Sequence, residues 1–497
     1  MSKASKLAPP AGGELSMRAI LAPLVAIIIG MFMVILDGTA MNVALPGLME
    51  DFSSSMTLVQ WTITGYALAQ AAVIPLAGWL SDRFGAKQVF LFSIIMFTIG
   101  SALCALAGTA EQLIAFRIIQ GLGGGMVAPI AMAFTFRLSP PGKQGAVMGM
   151  IGIPMLLAPA LGPVVSGWMI DFATWHWIFI INLPIGVIAV IVGLRTLPSI
   201  ERKRVPALDF FGMLLAPLAF AMLVYGVNSA SSETGEGGGW TSTATLTGLI
   251  IGGVALIVFI FVELSRKEPL IELRVFKSGN FTRGIVLQWI MQIALFGTLF
   301  LVPLLLQLVK GYTAFETGLI LLPQALASGL FMPIGGKLFD RFGARLVVAS
   351  GLSIVALAAF ILSQLSADTG LVMVMIPLAM LGAGMGLSMM PLNTHIMQSA
   401  PRDLVSRVTS LTSSAQQVMS SFAIAGLATL LASKVEHYMK TNPGPNVVFT
   451  AYGDTFLILG ILGIVGAAFA LLLRRPKQEH VTEAEDSVEA APMMMGH

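Results

Sequence analysis

Cysteine is almost absent from this chain, with Cys104 alone among 497 residues. No disulfide can close within it, and no cysteine-based metal site can form. Charge is nearly as scarce, at 11% of positions. The five histidines include His176, His395 and His437, which are scattered without ligand spacing. No Ser/His/Asp set, Walker loop or metal-ligand cluster is present, which excludes ATP-driven pumping by this chain and implies neither a metal nor a cofactor. The net charge of +3 comes from loop cations and points to no nucleic-acid partner.

What fills the chain instead is apolar. Hydrophobic residues make up 56% of it, and runs of about twenty recur from end to end. These predict an all-α multi-pass membrane protein with fourteen spans, the first near 20–44, the thirteenth near 408–432 and the last near 454–473. An even number places both termini on one side. With that side cytoplasmic, 24 of the 28 Lys and Arg residues fall inside, three outside (Lys310, Lys434, Lys440) and Arg117 within a span. Such cytoplasmic excess sets orientation during insertion. The polar start has no cleavage site and reads as a retained tail.

One string occurs twice. Gly78 to Lys87 reads GWLSDRFGAK, and GKLFDRFGAR begins 258 positions later at Gly336. Each copy lies between two apolar runs, so each is a short charged loop between membrane helices. The duplication predicts two related six-helix halves, a design found in transporters with a central pathway. The halves are residues 20–195 and 284–473. Between them, 196–283 carries two inserted spans and their linkers, one with Arg202-Lys203-Arg204 and one, Leu264 to Arg283, expected to lie on the membrane surface. The tails are 1–19 and 474–497, the latter acidic and expected to be disordered. The loop Ser229 to Gly239 is expected to be flexible and external.

In these loops, Asp82 and Asp340 can accept hydrogen bonds at a helix N-terminus and pair with nearby Arg83 and Arg341. Gly85 and Gly343 permit a tight turn. With Gly78 and Gly336 they are expected to be cytoplasmic latches between two conformations.

Only Asp37 and Arg117 are charges set well inside apolar runs, where each costs about 2.5–3.5 kcal/mol at a helix centre. Burial disfavours an ionised carboxylate and a nearby cation favours it. A carboxylate held between those pulls can load and release a proton, or accept a cationic ligand. Arg117 cannot realistically lose its proton, so it would tune a neighbour. The glycines at 121, 123, 124 and 125 have no strand before them and no GK[ST] after, so they read as close helix packing rather than a phosphate loop. Span 5 is rich in Gly and Pro, including Pro159, Gly162, Pro163 and Gly167, which predicts a bent helix sealed against its neighbours. The 30 Met and 29 Phe residues would suit a cavity for varied apolar ligands.

At these residues the chain resembles the major facilitator superfamily, in its fourteen-span drug:proton antiporter branch of the EmrB/QacA type. The loop motif is carried by Gly78, Asp82, Arg83 and Gly85, and the first-helix motif by Leu36 to Pro46, LDGTAMNVALP. Arg117, Gln120, Gly121 and Gly123 match the fourth-helix motif, and Ala158 to Trp168 the fifth-helix antiporter motif, with Ser166 where glycine is common. His176 replaces an arginine usual in the segment Trp175 to Gly186.

The resemblance implies the major facilitator fold, with two six-helix pseudo-symmetric bundles and two inserted helices. It implies export of hydrophobic, often cationic compounds in exchange for protons across a bacterial cytoplasmic membrane, with Asp37 as coupling or cation-sensing carboxylate and Arg117 as its partner. Span 10 lacks the carboxylate some relatives carry there. Relatives that use a periplasmic adaptor often have a long loop before the last helix, whereas here it runs only from about Ser433 to Tyr452, so an adaptor is possible but not indicated. The alternatives are a dedicated exporter of one metabolite or antibiotic, and a non-transporting membrane sensor.

Overall fold

The structure is a computed structural model and describes residues 17–54, 56–140, 142–199, 210–231, 239–266, 272–401, 404–441 and 446–474. For Asn42, Pro154 and Pro163 the description covers the backbone alone. Residues 1–16 and 475–497, the linker around Arg202-Lys203-Arg204 and most of the 229–239 loop lie outside the described residues.

Apolar helices meet all their backbone hydrogen bonds internally, which a bilayer demands. Among the described residues there is no strand, and fourteen helices are long and apolar enough to cross a membrane. Spans 1 to 6 are Ile20–Met41, Leu58–Phe84, Ala86–Ala105, Ala110–Leu138, Gln144–Ile170 and His176–Thr196. Spans 7 and 8 are Phe211–Ala230 and Thr243–Ser265. Spans 9 to 14 are Gly279–Val309, Phe315–Phe342, Ala344–Leu362, Leu371–Gln398, Val405–Thr441 and Val447–Ala470. Thr109, Ser242, Ser278 and Thr313 cap the starts of spans 4, 8, 9 and 10 with side-chain oxygens. Gly85 and Gly343 end spans 2 and 10 at φ of 95° and 79°, a region where a side chain would be strained.

The first six spans form one bundle, with Phe90, Ile94 and Phe97 of span 3 packed on Val34 and Ile130. The last six form the other, around Leu352, Val355, Leu378, Met385 and Phe456. At the end of the molecule that holds the duplicated loops, here the motif end, this second core continues into Trp79, Met132, Phe136 and Met148 of the first bundle. The two inserted spans pack tightly on each other, with Gly226 against Gly248. They sit on the seam between bundles: Tyr225 of span 7 stacks on Trp61 of span 2, and Trp240, just before span 8, donates to Thr429 of span 13 at 2.6 Å.

The stretch Ser433 to Tyr452, read from sequence as a loop, is mostly helix. Span 13 continues to Thr441, and the helix of span 14 begins at Val447. Side-chain bonds hold this extension in place. Lys434 and Tyr438 both reach Asp454, at 2.8 and 2.7 Å, and Lys440 pairs with Glu436 one turn away.

Candidate functional site

Asp37 and Arg117 meet. Arg117 Nη1 lies 2.5 Å from Asp37 Oδ2, and both side chains are wholly buried inside the first bundle. Span 1 supplies the carboxylate and span 4 the guanidinium, and three further spans complete the cluster. Gln120 Nε2 and Asn182 Nδ2 donate to Asp37 Oδ1 at 3.1 and 2.8 Å. The same two amides donate to Ser101 Oγ at 3.1 and 2.9 Å. Arg117 also donates to Gln120 Oε1 and, through Nε, to the Thr62 carbonyl. Its guanidinium stands 3.9 Å over the Tyr66 ring, a cation–π arrangement.

Sequence reading named the two ions but none of Ser101, Asn182 or Tyr66 as their partners. Gln120 was visible only as a motif residue, three positions from Arg117 on the same helix face. Every neighbour bound to Asp37 is a donor, so the cluster is built around a carboxylate acceptor. Arg117 Nη2, the Tyr66 hydroxyl and Asn182 Oδ1 are buried without a partner. Such atoms carry a desolvation cost, so this network is not saturated.

The span 4 glycines are packing residues. A side chain at Gly121 would meet the Tyr66 carbonyl at 2.7 Å, and one at Gly123 the Phe97 amide at 2.6 Å. They let spans 2 and 3 close on span 4 and so bring Tyr66 and Ser101 to the ion pair.

At the motif end the two loop copies reach across to opposite bundles in matching ways. Gly78 lies against span 13, where an added Cβ would sit 2.6 Å from the Ser406 carbonyl oxygen. Gly336 lies against span 5 at Gly145, backbone on backbone. Asp340 accepts from the Gly145 and Ala146 amides at 2.9 and 3.0 Å, at the N-terminus of span 5. Asp82 differs from expectation. Its ion pairs are with Arg137 at the end of span 4, at 3.3 Å, and Arg407 at the start of span 13, at 3.9 Å, rather than with Arg83. Arg83 and Arg341 turn to the surface, Arg341 over the Phe342 ring. A residue next in sequence on a helix points away, whereas facing helix ends converge.

Span 5 follows span 10 from end to end, from Gly145 beside Gly336 to Val164 beside Gly318. Gly162 turns the other way, onto Thr39 of span 1, and Pro159 forms part of a cavity wall between the bundles. A Cβ at Gly167 would meet nothing within 4 Å, so close packing does not explain that glycine.

Known proteins place this architecture. The chain is 32% identical to the lincomycin resistance protein LmrB of Bacillus subtilis, over 92% of this chain and 95% of that protein. It is 36% identical to a multidrug resistance protein B homolog of Mycobacterium tuberculosis, over 81% and 74% respectively. Among solved structures, the proton:xylose symporter XylE superposes with a TM-score of 0.63 at 13% identity, covering 93% of this chain and 97% of that one. The human organic anion transporter MFSD10 superposes with a TM-score of 0.60 at 15% identity, over 90% and 99%. Both likenesses concern the fold alone. The family model of the Major Facilitator Superfamily matches residues 27–424, and with its fourteen spans this chain belongs to that superfamily as a transporter fitting the fourteen-span drug-efflux branch.

Proposed function

We propose that the chain is a proton-coupled antiporter that exports hydrophobic and cationic drugs by alternating access. In this reading the motif end and both termini face the cytoplasm. The observation that carries it is the Asp37–Arg117 pair, wholly buried inside a membrane-spanning bundle. Desolvating two ions offsets most of their attraction, so a buried pair is a poor source of stability. An ionisable pair kept within a membrane bundle therefore supports a functional role. The relatives named for lincomycin and multidrug resistance support the class of cargo.

Arg117 keeps its proton, so Asp37 is the member that exchanges one. A proton on Asp37 removes the charge that Arg117, Gln120 and Asn182 all address. The tie between spans 1 and 4 then loosens. Two residues beyond Asp37, Thr39 packs on Gly162 of span 5, the helix that runs along span 10 of the other bundle. A shift of span 1 is passed by this contact to the interface between bundles. At the motif end, the bonds of Asp340 to span 5 and of Asp82 to Arg407 must break for the pathway to open there. The bundles then rock about the interface and re-form the latch after release. The proton gradient supplies the energy, with no cofactor.

The test is ethidium movement into proteoliposomes of the purified chain with an acidic interior. Accumulation that nigericin collapses is the expected result. Ethidium uptake indifferent to the gradient, or none by a folded protein, would contradict the reading.

A further inference from the structure

The two loop copies are alike in sequence, but the helices that lead into them differ in structure. Pro75 and Pro333 each stand three residues before the paired glycines, Gly78 and Gly336. A proline inside a helix removes a backbone hydrogen bond and favours a break. Span 2 does break there: its α-helix ends at Val73, Ile74–Leu76 form a 3-10 turn, and α-helix resumes at Ala77. Span 10 passes Pro333 as unbroken α-helix from Ala314 to Phe342. A short 3-10 stretch in mid-helix often marks a hinge.

The seams that these helices make with the opposite bundle differ in the same sense. Gly145 and Ser406 are each the second residue of their helices, in spans 5 and 13. One turn further on come Gly149 and Ser410. In span 5 these positions are bare backbone: Gly145 touches Gly336, and a Cβ at Gly149 would lie 2.8 Å from the Met332 carbonyl oxygen. In span 13 they carry hydroxyls, and Ser414 adds a third after another turn. Ser406, Ser410 and Ser414 are at most 1% exposed, and all three Oγ atoms are buried without a partner. By contrast, Thr409 and Thr412 donate their hydroxyls to carbonyls of the same helix. Asp340 clasps the Gly145 and Ala146 amides at 2.9 and 3.0 Å, whereas Asp82 reaches Arg407 at 3.9 Å. The 3-10 break of span 2 packs on span 13. At the far end of this seam the inserted spans grip the same two helices, Tyr225 on Trp61 and Trp240 on Thr429.

A buried hydroxyl without a partner carries a desolvation cost that water would remove. We propose that the two seams open unequally. At the motif end span 2 swings at Ile74–Leu76 away from span 13, and water enters along Ser406, Ser410 and Ser414 before the seam of spans 5 and 10 parts. The glycine seam has no such cost to relieve: opening it forfeits backbone contact and the Asp340 bonds, and hydrates no hydroxyl in return. It therefore parts later and less. The grip of the inserted spans at the far end makes span 2 bend rather than leave span 13 as a rigid rod. This rests on the alternating-access reading for what the opening is for, but the opening itself needs neither gradient nor cargo.

Amide hydrogen exchange of the full chain in lipid nanodiscs, read by mass spectrometry, tests this, because exchange reports local opening. Each seam serves as the other's reference. Residues 71–80 and 404–414 should exchange at least about tenfold faster than residues 329–338 and 143–153. Ser406→Ala, Ser410→Ala and Ser414→Ala combined remove the hydroxyls and keep the helix. Exchange in spans 2 and 13 should then slow at least about tenfold, with spans 5 and 10 unchanged. Wild-type exchange in residues 344–362 of span 11 reports an intact fold. If the triple variant misfolds, Ser410→Ala alone decides, since its oxygen lies nearest to Gly78 among the three, and about fivefold slowing is expected. Equal exchange at the two seams of the wild type overturns the proposal, as does slowing that is absent, or equal at both seams, in a folded variant. Absence of gradient-driven ethidium accumulation with this exchange pattern intact would sink the antiport reading and leave this one standing.

Discussion

Asp340, near the end of span 10, accepts a hydrogen bond at 2.9 Å from the backbone amide of Gly145, the second residue of span 5 in the other bundle. The carboxylate also takes the Ala146 amide, so one side chain clasps a helix N-terminus across the pseudo-symmetric interface. Hydrogen bonds to a charged group contribute about 1.5–3 kcal/mol each. Asp340→Ala should shift the balance toward the form open at the motif end by tenfold or more. Spin labels on cysteines placed at the exposed Gln88 and Arg345 would read this as a longer distance population, and buried Cys104 would stay unlabelled.

Gly145 and Gly336 touch backbone to backbone, and neither has room for a side chain. Gly336→Val should keep the motif end from closing. Transport should fall at least about tenfold, since a close helix approach of this kind requires small residues. The same spin labels should report the open distance even at saturating substrate.

Arg117→Met leaves Asp37 buried without its cation, and Asp37→Asn leaves the guanidinium without its anion. Breaking a buried pair costs about 3–5 kcal/mol, whereas removing both partners is often nearly neutral. The double variant should therefore be more thermostable than Arg117→Met alone. A detergent melting series on the four proteins checks it, and additive losses would argue against a coupled pair.

In the proposed antiport, with Asp37 as the coupling carboxylate, one proton is expected per cycle. Exchanging it for a monovalent cation moves no net charge, so a potassium–valinomycin potential should leave ethidium accumulation unchanged. An uncharged cargo exchanged for one proton would respond by about 2.3 kcal/mol per 100 mV, roughly 50-fold. Comparing the two cargoes in one vesicle preparation measures the difference.

The spans, the duplicated loops and the two intramembrane charges were legible in sequence, because each is a local signal: a long apolar run, a repeated string, an ion where ions are costly. Partners were harder to read. Asp82 meets Arg407, and Asp37 meets Asn182, across more than a hundred residues of chain, and no periodicity connects such positions. The helical extension past Ala432 was hidden because its support, Asp454 holding Lys434 and Tyr438, comes from the next helix.

Asp37 as the coupling carboxylate is tested most directly by separating driven transport from exchange. Asp37→Asn proteoliposomes would be assayed for accumulation under a pH gradient and, without one, for counterflow of labelled against unlabelled substrate. Accumulation should vanish while counterflow survives, because a permanently neutral residue 37 still permits rocking but carries no proton. Gradient-driven accumulation at the wild-type level in the variant would contradict it.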